Sequence, residues 1–194
     1  MQESIQAMRY VLLLLVVVGL GETGFAQIRV PIGKRKAADP VATTASEKAM
    51  LPRVGVPELI AMLEWTGKQI DTTLKKKGYL LMQKDVDSTS SLFLYSMLTK
   101  LEDGPTTVRS FSFMDAAVGE LKSRMITYRT YDKNEFRDIS SYLLANNYQK
   151  TNEFDFDEAK HSLYSNGTQE IRLKVITTVR DKRTFIAYEL ELGK

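Results

Sequence analysis

Cysteine is absent from the 194 residues, and histidine occurs once, as His161. These absences rule out a disulfide framework, a thiolate nucleophile, a Cys-ligated zinc site and a multi-histidine metal centre. Five prolines and eleven glycines are too few for a collagen-like or low-complexity chain. Neither sign of charge dominates: 27 Lys and Arg against 24 Asp and Glu leave a net +3, which is no nucleic-acid signature. Gly-rich phosphate loops, Gly-x-Ser-x-Gly elbows and His-Glu-x-x-His helices are missing too. The one extended apolar run, Val11 to Leu20, has about half the roughly 20 residues that a membrane span needs.

That short run is informative by its flanks. Arg9 precedes it, and Gly24-Phe25-Ala26 follows, with small residues three before and one before a cleavage point at Gln27. This is the layout of a secretory signal peptide over residues 1–26, and Met8 is a cleaner start than Met1 because it leaves Glu3 out of the basic end. Residues 27–51, with Pro31, Gly33, Pro40 and an Ala/Thr/Ser tract, read as a flexible linker. Its Lys34-Arg35-Lys36 cluster is expected to be solvated, with anionic lipid headgroups as the alternative partner. The mature chain is therefore expected in the periplasm or outside the cell, without a stable membrane span, nucleic acid or cofactor.

From Pro52 onward an internal repeat organises the chain. A shift of 69 positions superposes Ile70 on Ile139, Leu74 on Leu143, Tyr79 on Tyr148, and Leu94-Tyr95-Ser96 on Leu163-Tyr164-Ser165. A shift of 60 then superposes Ile126-Thr127-Tyr128 on Ile186-Ala187-Tyr188. The change of shift implies nine extra residues in the first copy, at 99–107 or 114–122. Residues 52–131 and 132–194 thus read as two tandem α-ββββ units, an α+β fold with each helix followed by a four-stranded antiparallel sheet.

In the first copy Pro57 suits a helix start, and Leu59, Leu63, Ile70 and Leu74 form an apolar stripe ended by Gly78. Thr66-Gly67-Lys68-Gln69 also fits a capping box, so two short helices meeting near Trp65 are an alternative. In the second copy Asp132 and Glu135 mark the start, Phe136, Ile139 and Leu143 the stripe, and Asn146-Asn147 the end. Strand alternation puts Ile171, Leu173 and Val175 on one face and Arg172 and Lys174 on the other. Ile186, Tyr188, Leu190 and Leu192 share a face, and the repeat extends that inward face to Leu94, Phe111, Phe113, Ile126 and Tyr128. Asn166-Gly167-Thr168 is a glycosylation sequon, but the Asn-Gly pair is already explained by a tight turn.

The two-copy arrangement, with Lys77-Gly78-Tyr79 and Asn146-Asn147-Tyr148 closing the helices, resembles the beta-lactamase-inhibitor-protein-like folds of exported bacterial proteins. It is similar also to a group of secreted bacterial proteins whose helices end in Gly-Tyr or Asn-Tyr before each set of strands. The resemblance spans residues 52–192 and carries over no functional residue. The function expected from the exposed residues below is a non-enzymatic binding module, with inhibition of an extracellular enzyme as a special case.

Chemistry-bearing candidates are few. His161 follows Asp157 and Glu158 and is expected to be a solvated hairpin residue, with a general base or pH sensor as the sharper alternative. Asp85 and Asp87, and likewise Asp155 and Asp157, lack the rest of a calcium loop and are expected to be solvated. An interaction surface is expected on the sheet face away from the helices, carrying Tyr95, Arg129, Tyr164, Arg172 and Lys174, beside Phe185 and Glu189. Aromatic and Arg side chains are the types that anchor interfaces, although cross-strand pairs of Arg172 or Lys174 with Glu189 would equally suit an ordinary exposed sheet. The expected partner is a protein or another envelope component. The long connection of the first copy is the alternative surface, and a carboxylate-dependent envelope hydrolase is the alternative class.

Overall fold

A computed structural model describes residues 52–101, 104–180 and 182–194. The expected signal peptide, linker and Lys34-Arg35-Lys36 cluster lie outside the described residues. Helix α1 (Val56–Met62) carries Pro57 in its first turn, where the missing N–H leaves no bond unmade. Thr66 then opens α2 (Gly67–Lys76) with a reciprocal box: Gln69 N–H donates to Thr66 Oγ1 at 3.3 Å, and Thr66 N–H to Gln69 Oε1 at 2.8 Å. Two short helices therefore meet near Trp65. The end of α1 is satisfied from the sheet, because Arg124 Nη1 donates to the carbonyls of Met62 at 3.2 Å, Leu63 at 3.3 Å, and Trp65.

Helix α2 stops at Gly78, whose φ of +83° suits glycine, and Tyr79 N–H reaches back to Leu74 O at 3.0 Å. Helix α3 (Lys133–Ala145) starts on Asp132, which accepts from Asn134 N–H at 2.8 Å. It stops at Asn147, φ 63°, with Tyr148 N–H on Leu143 O at 3.0 Å. Strands β1 (Leu80–Val86), β2 (Ser90–Leu101), β3 (Gly104–Val118) and β4 (Leu121–Thr130) follow α2. Strands β5 (Gln149–Phe156), β6 (Ala159–Ser165), β7 (Glu170–Arg180) and β8 (Arg183–Gly193) follow α3.

All eight strands form one antiparallel sheet in the order β1-β2-β3-β4-β8-β7-β6-β5, so the protein is α+β and mostly sheet. Strands β4 and β8 meet in the middle, which leaves β1 and β5 as edges. Each edge is bulged, between Leu81 and Gln83 and between Lys150 and Asn152. Such kinks discourage further pairing at a free edge. Residues paired across strands share a face, and the row Tyr95, Phe111, Tyr128, Leu190, Leu173 is buried under Leu59, Ile70, Leu74, Ile139 and Leu143 of the helices. Burying each such side chain stabilises the fold by about 1.5–3 kcal/mol, so this one-sided core holds the helices on a single face.

Several expectations about facing are corrected. Tyr95, expected outward, is fully buried on the helix side, and its hydroxyl donates to Asp71 Oδ1 at 3.0 Å. Tyr164 pairs with Ile171 and is half-buried on that same side. Leu94, expected inward, faces the other way opposite Ser112. The cause is parity: Ser91-Leu92-Phe93-Leu94-Tyr95 is apolar on both alternations, and a one-residue slip exchanges the faces. Placing Ile126 on Ile186 is also corrected, since Ile126 is fully buried and Ile186 is 42% exposed. The inward pair of β4, Ile126 and Tyr128, lies opposite Leu192 and Leu190. Residues 99–101 and 104–107, where an insertion was expected, are the outer rungs of a hairpin, Thr99 opposite Thr106 and Leu101 opposite Gly104.

Candidate interaction surface

The helices cover one face of the sheet, and the opposite face carries its charges in the centre. Cross-strand pairing builds one row from Ser110, Arg129, Glu189, Lys174, His161 and Phe154. The next row holds Ser112, Thr127, Glu191, Arg172, Leu163 and Asn152. Arg129 grips Glu189 Oε2 with Nε at 2.8 Å and Nη2 at 2.6 Å, while Lys174 Nζ lies 3.1 Å from Glu189 Oε1. Lys174 also bonds Glu191, whose other oxygen is 3.5 Å from Arg172 Nη1. Three cations thus enclose two carboxylates. Burial alone would raise the Glu189 carboxyl, but Arg129 and Lys174 outweigh it and hold the group below its ordinary range. An ionised, doubly paired Glu189 has no proton to give as a general acid.

Arg129, Arg172 and Lys174 therefore lie together on the open face, as expected, whereas Tyr95 and Tyr164 do not join them. The expected pairing of Lys174 with Glu189 is present. Apolar side chains flank the charged rows: Leu92, Leu94, Met114 and Met125 on one side, all half-buried, and Phe154 and Phe156 on the other.

His161 is not solvated. It is 5% exposed, stacked on Phe154 at 4.9 Å between ring centres, with Nε2 3.1 Å from the Phe156 carbonyl oxygen and Nδ1 without a partner among the described residues. Burial, reinforced by Lys174 and Arg172 and opposed by the Phe156 carbonyl, lowers its pKa. The acidic pairs hold no cation centre: among the described residues no three His, Asp or Glu side chains are placed to bind a metal ion. Asp87 instead closes the β1–β2 turn. Bonds from Thr89 N–H at 2.7 Å and from the Ser90 hydroxyl at 2.8 Å and N–H at 2.6 Å pull its pKa down to about 2. Asn166 Oδ1 likewise ties the β6–β7 turn, accepting from the N–H groups of Thr168 at 3.1 Å and Gln169 at 2.9 Å.

One polar cluster escaped sequence reasoning. Glu135 stands in the first turn of α3, as expected, and its side chain points into the core, almost fully buried. It accepts from Arg109 Nε at 2.9 Å, the Tyr128 hydroxyl at 2.5 Å and the Thr130 hydroxyl at 2.9 Å. Burial first, then the neighbouring Tyr79 and Glu135, push the Tyr128 hydroxyl far up, and burial pushes Tyr79 up to about 12. The legible signal was alternation, because Arg109 shares parity with Phe111 and Phe113, and Thr130 with Ile126 and Tyr128. These three donors make the cluster a joint between β3, β4 and α3.

The arrangement is that of an α+β scaffold with one covered and one open sheet face. Among the described residues no helix is long and apolar enough to cross a membrane. Compared with known proteins, the chain matches no family model, no curated sequence and no solved structure.

Proposed function

We propose that this chain is an exported, non-enzymatic binding module that holds a protein or another envelope component against the open face of its sheet. The observation that carries the reading is the paired charge belt of Arg129, Glu189, Lys174, Glu191 and Arg172, set between two groups of apolar side chains. A charged stripe whose members already hold one another in place is preorganised, so ordering it on binding costs little. Apolar flanks supply area to bury, and the stripe supplies register and selectivity. Inhibition of an extracellular enzyme is a special case of the same reading. A carboxylate-dependent hydrolase is less well supported, since Glu135 is enclosed by donors and Glu189 by cations.

Two further parts of the proposal concern history and address. The scaffold is a tandem repeat of helix plus four strands, supported by features that recur 69 positions apart: the bulges after Leu81 and Lys150, and the positive φ at Gly78 and Asn147. Export rests on the apolar run ending before Ala26. A reporter fused after Gln27 should be processed behind Ala26, and an unprocessed N-terminus on exported protein would oppose this.

The test of function is capture from an envelope fraction with the processed chain as bait, followed by the Leu94→Ser/Phe156→Ser variant. One stoichiometric partner whose affinity drops at least tenfold in the variant, with unchanged melting temperature, is the expected result. Turnover of a small substrate without a partner, or binding indifferent to the variant, would overturn it.

A further inference from the structure

The two edges of the sheet are fastened in different ways. On β1, Asp85 lies opposite Leu92 of β2. The β1–β2 turn is tied by Asp87, and bonds from Thr89 and Ser90 hold its pKa at about 2, so this edge is indifferent to mild acid. The equivalent rung of β5, 69 positions on, places Phe154 opposite His161 of β6. There the imidazole is clasped by β5. Phe154 stacks on it at 4.9 Å with 5° between the planes, Phe156 meets it edge-on at 6.2 Å, and the Phe156 carbonyl oxygen lies 3.1 Å from Nε2.

The rest of β5 is weakly held. Every residue from Gln149 to Phe156 is exposed, β5 pairs with β6 alone, and that ladder is bulged between Lys150 and Asn152. On the other face of β5 the Glu153 carboxylate meets Lys160 at 2.5 Å, an exposed pair of the kind that stabilises little. Asp157 and Glu158 close the hairpin with φ of 50° and 59°, a conformation that favours glycine. The clasp on His161 is therefore a large part of what keeps this edge in place.

That clasp suits a neutral ring. A carbonyl oxygen can only accept, so Nε2 carries the proton and Nδ1 is bare. Nδ1 is buried without a partner among the described residues. Lys174 lies opposite His161 on β7 and Arg172 two residues before it, while β5 presents Asn152, Phe154 and Phe156 to this face. Glu189 and Glu191 of β8 are already engaged by Arg129, Lys174 and Arg172, and the turn adds the exposed Asp157 and Glu158. A proton on Nδ1 would put an unpartnered N–H and a third positive charge into an enclosure next to two cations. Burial first, with Lys174 and Arg172 adding to it against the Phe156 carbonyl and Glu191, accordingly lowers the pKa of the ring. The ring accepts the proton once water reaches it, and lifting β5 is the shortest route to water because β5 supplies the cover.

We propose that His161 is an acid-operated latch on edge strand β5: the neutral ring holds residues 152–156 against β6, and the protonated ring releases them. On the binding reading above, release would also withdraw Phe154 and Phe156 from the open face, but the latch itself does not depend on that reading.

The test uses the processed chain without any partner, so its failure is separable from failure of the binding proposal. His161 is the one histidine of the 194 residues, and its ring resonances are therefore identified without assignment. Ring nitrogen shifts should show a protonated Nε2 and a bare Nδ1 at neutral pH, with a titration midpoint below the ordinary 6.5. Amide exchange, corrected for intrinsic rates, should show residues 152–156 losing at least fivefold protection between about pH 7.5 and about pH 5, while β1 and β7 stay within about twofold. His161→Phe, which keeps a ring for the stack, should abolish that loss; the comparison of β5 with β1 in the unaltered chain decides the question if the variant fails to fold. A midpoint at or above 6.5, protection lost evenly across the sheet, β5 unmoved while the ring titrates, or the same loss in His161→Phe would each overturn the proposal.

Discussion

The two faces of the sheet each bury a glutamate, and they satisfy it in different ways. Under the helices Glu135 accepts from one guanidinium and two hydroxyls drawn from β3 and β4. On the open face Glu189 is held between Arg129 and Lys174, and Lys174 shares itself with Glu191. The first arrangement has one cation and no substitute for its carboxylate, so it acts as a joint between helix and sheet. The second is redundant, since losing one member leaves other pairs intact. Enclosed polar groups that tie elements together are structural, whereas a shared, partly exposed charge network can exchange partners and is suited to recognition.

The largest effect is expected from Glu135→Ala, which leaves the Arg109 guanidinium buried and unpaired. Destabilisation of about 3–5 kcal/mol in urea unfolding is anticipated for such a broken buried pair. A loss below that of the open-face variant described next but one would erase the proposed contrast. Leu74→Ala and Leu143→Ala come next, at about 2–5 kcal/mol each, because both side chains are fully buried where α2 and α3 meet the sheet. Near-neutral changes at both would mean that the helices do not cover that face.

Glu189→Gln should cost less, about 1–3 kcal/mol, as Lys174 retains Glu191 and Arg129 can still donate to the amide oxygen. Combining it with Glu191→Gln should exceed the sum of the two single losses, and strict additivity would show that the network shares no load.

The smallest expected effect is a pH dependence. Because the folded-state pKa of His161 is depressed below the ordinary histidine value of 6.5, its contribution to stability is present above that pH and is lost as the pH falls through the folded value. The unfolded chain binds the proton first, so unfolding becomes easier on acidification. His161→Phe should flatten the stability profile below about pH 6.5, the ordinary histidine range. An unchanged slope in that variant would assign the acid sensitivity elsewhere.

Local signals in the sequence are legible wherever a few adjacent residues suffice. The Thr66-to-Gln69 box, the Asp132 cap and the stops at Gly78 and Asn147 are each made by neighbouring backbone groups, so their geometry follows from composition alone. Strand alternation was legible in β7, where Arg172 and Lys174 interrupt Ile171, Leu173 and Val175. It is ambiguous in β2, whose Leu92 to Tyr95 are apolar on both faces, so alternation there does not fix the side on which Tyr95 lies.

What the amino-acid sequence determined by itself was the α+β class, the helix stops at Gly78 and Asn147 and the charged side of β7, while the first copy's single expected helix is split in two at Thr66. Tertiary structure alone decided that β4 meets β8, that Arg129 and Lys174 converge on one carboxylate, and that Glu135 turns inward from a helix start. The first two outcomes depend on pairing β4 with β8, which brings Arg129 to Glu189 60 positions away, and the third on Arg109, 26 positions before Glu135. Local propensity carries no information about which edges will join, because strand pairing is fixed by the fit of whole faces and not by any one segment.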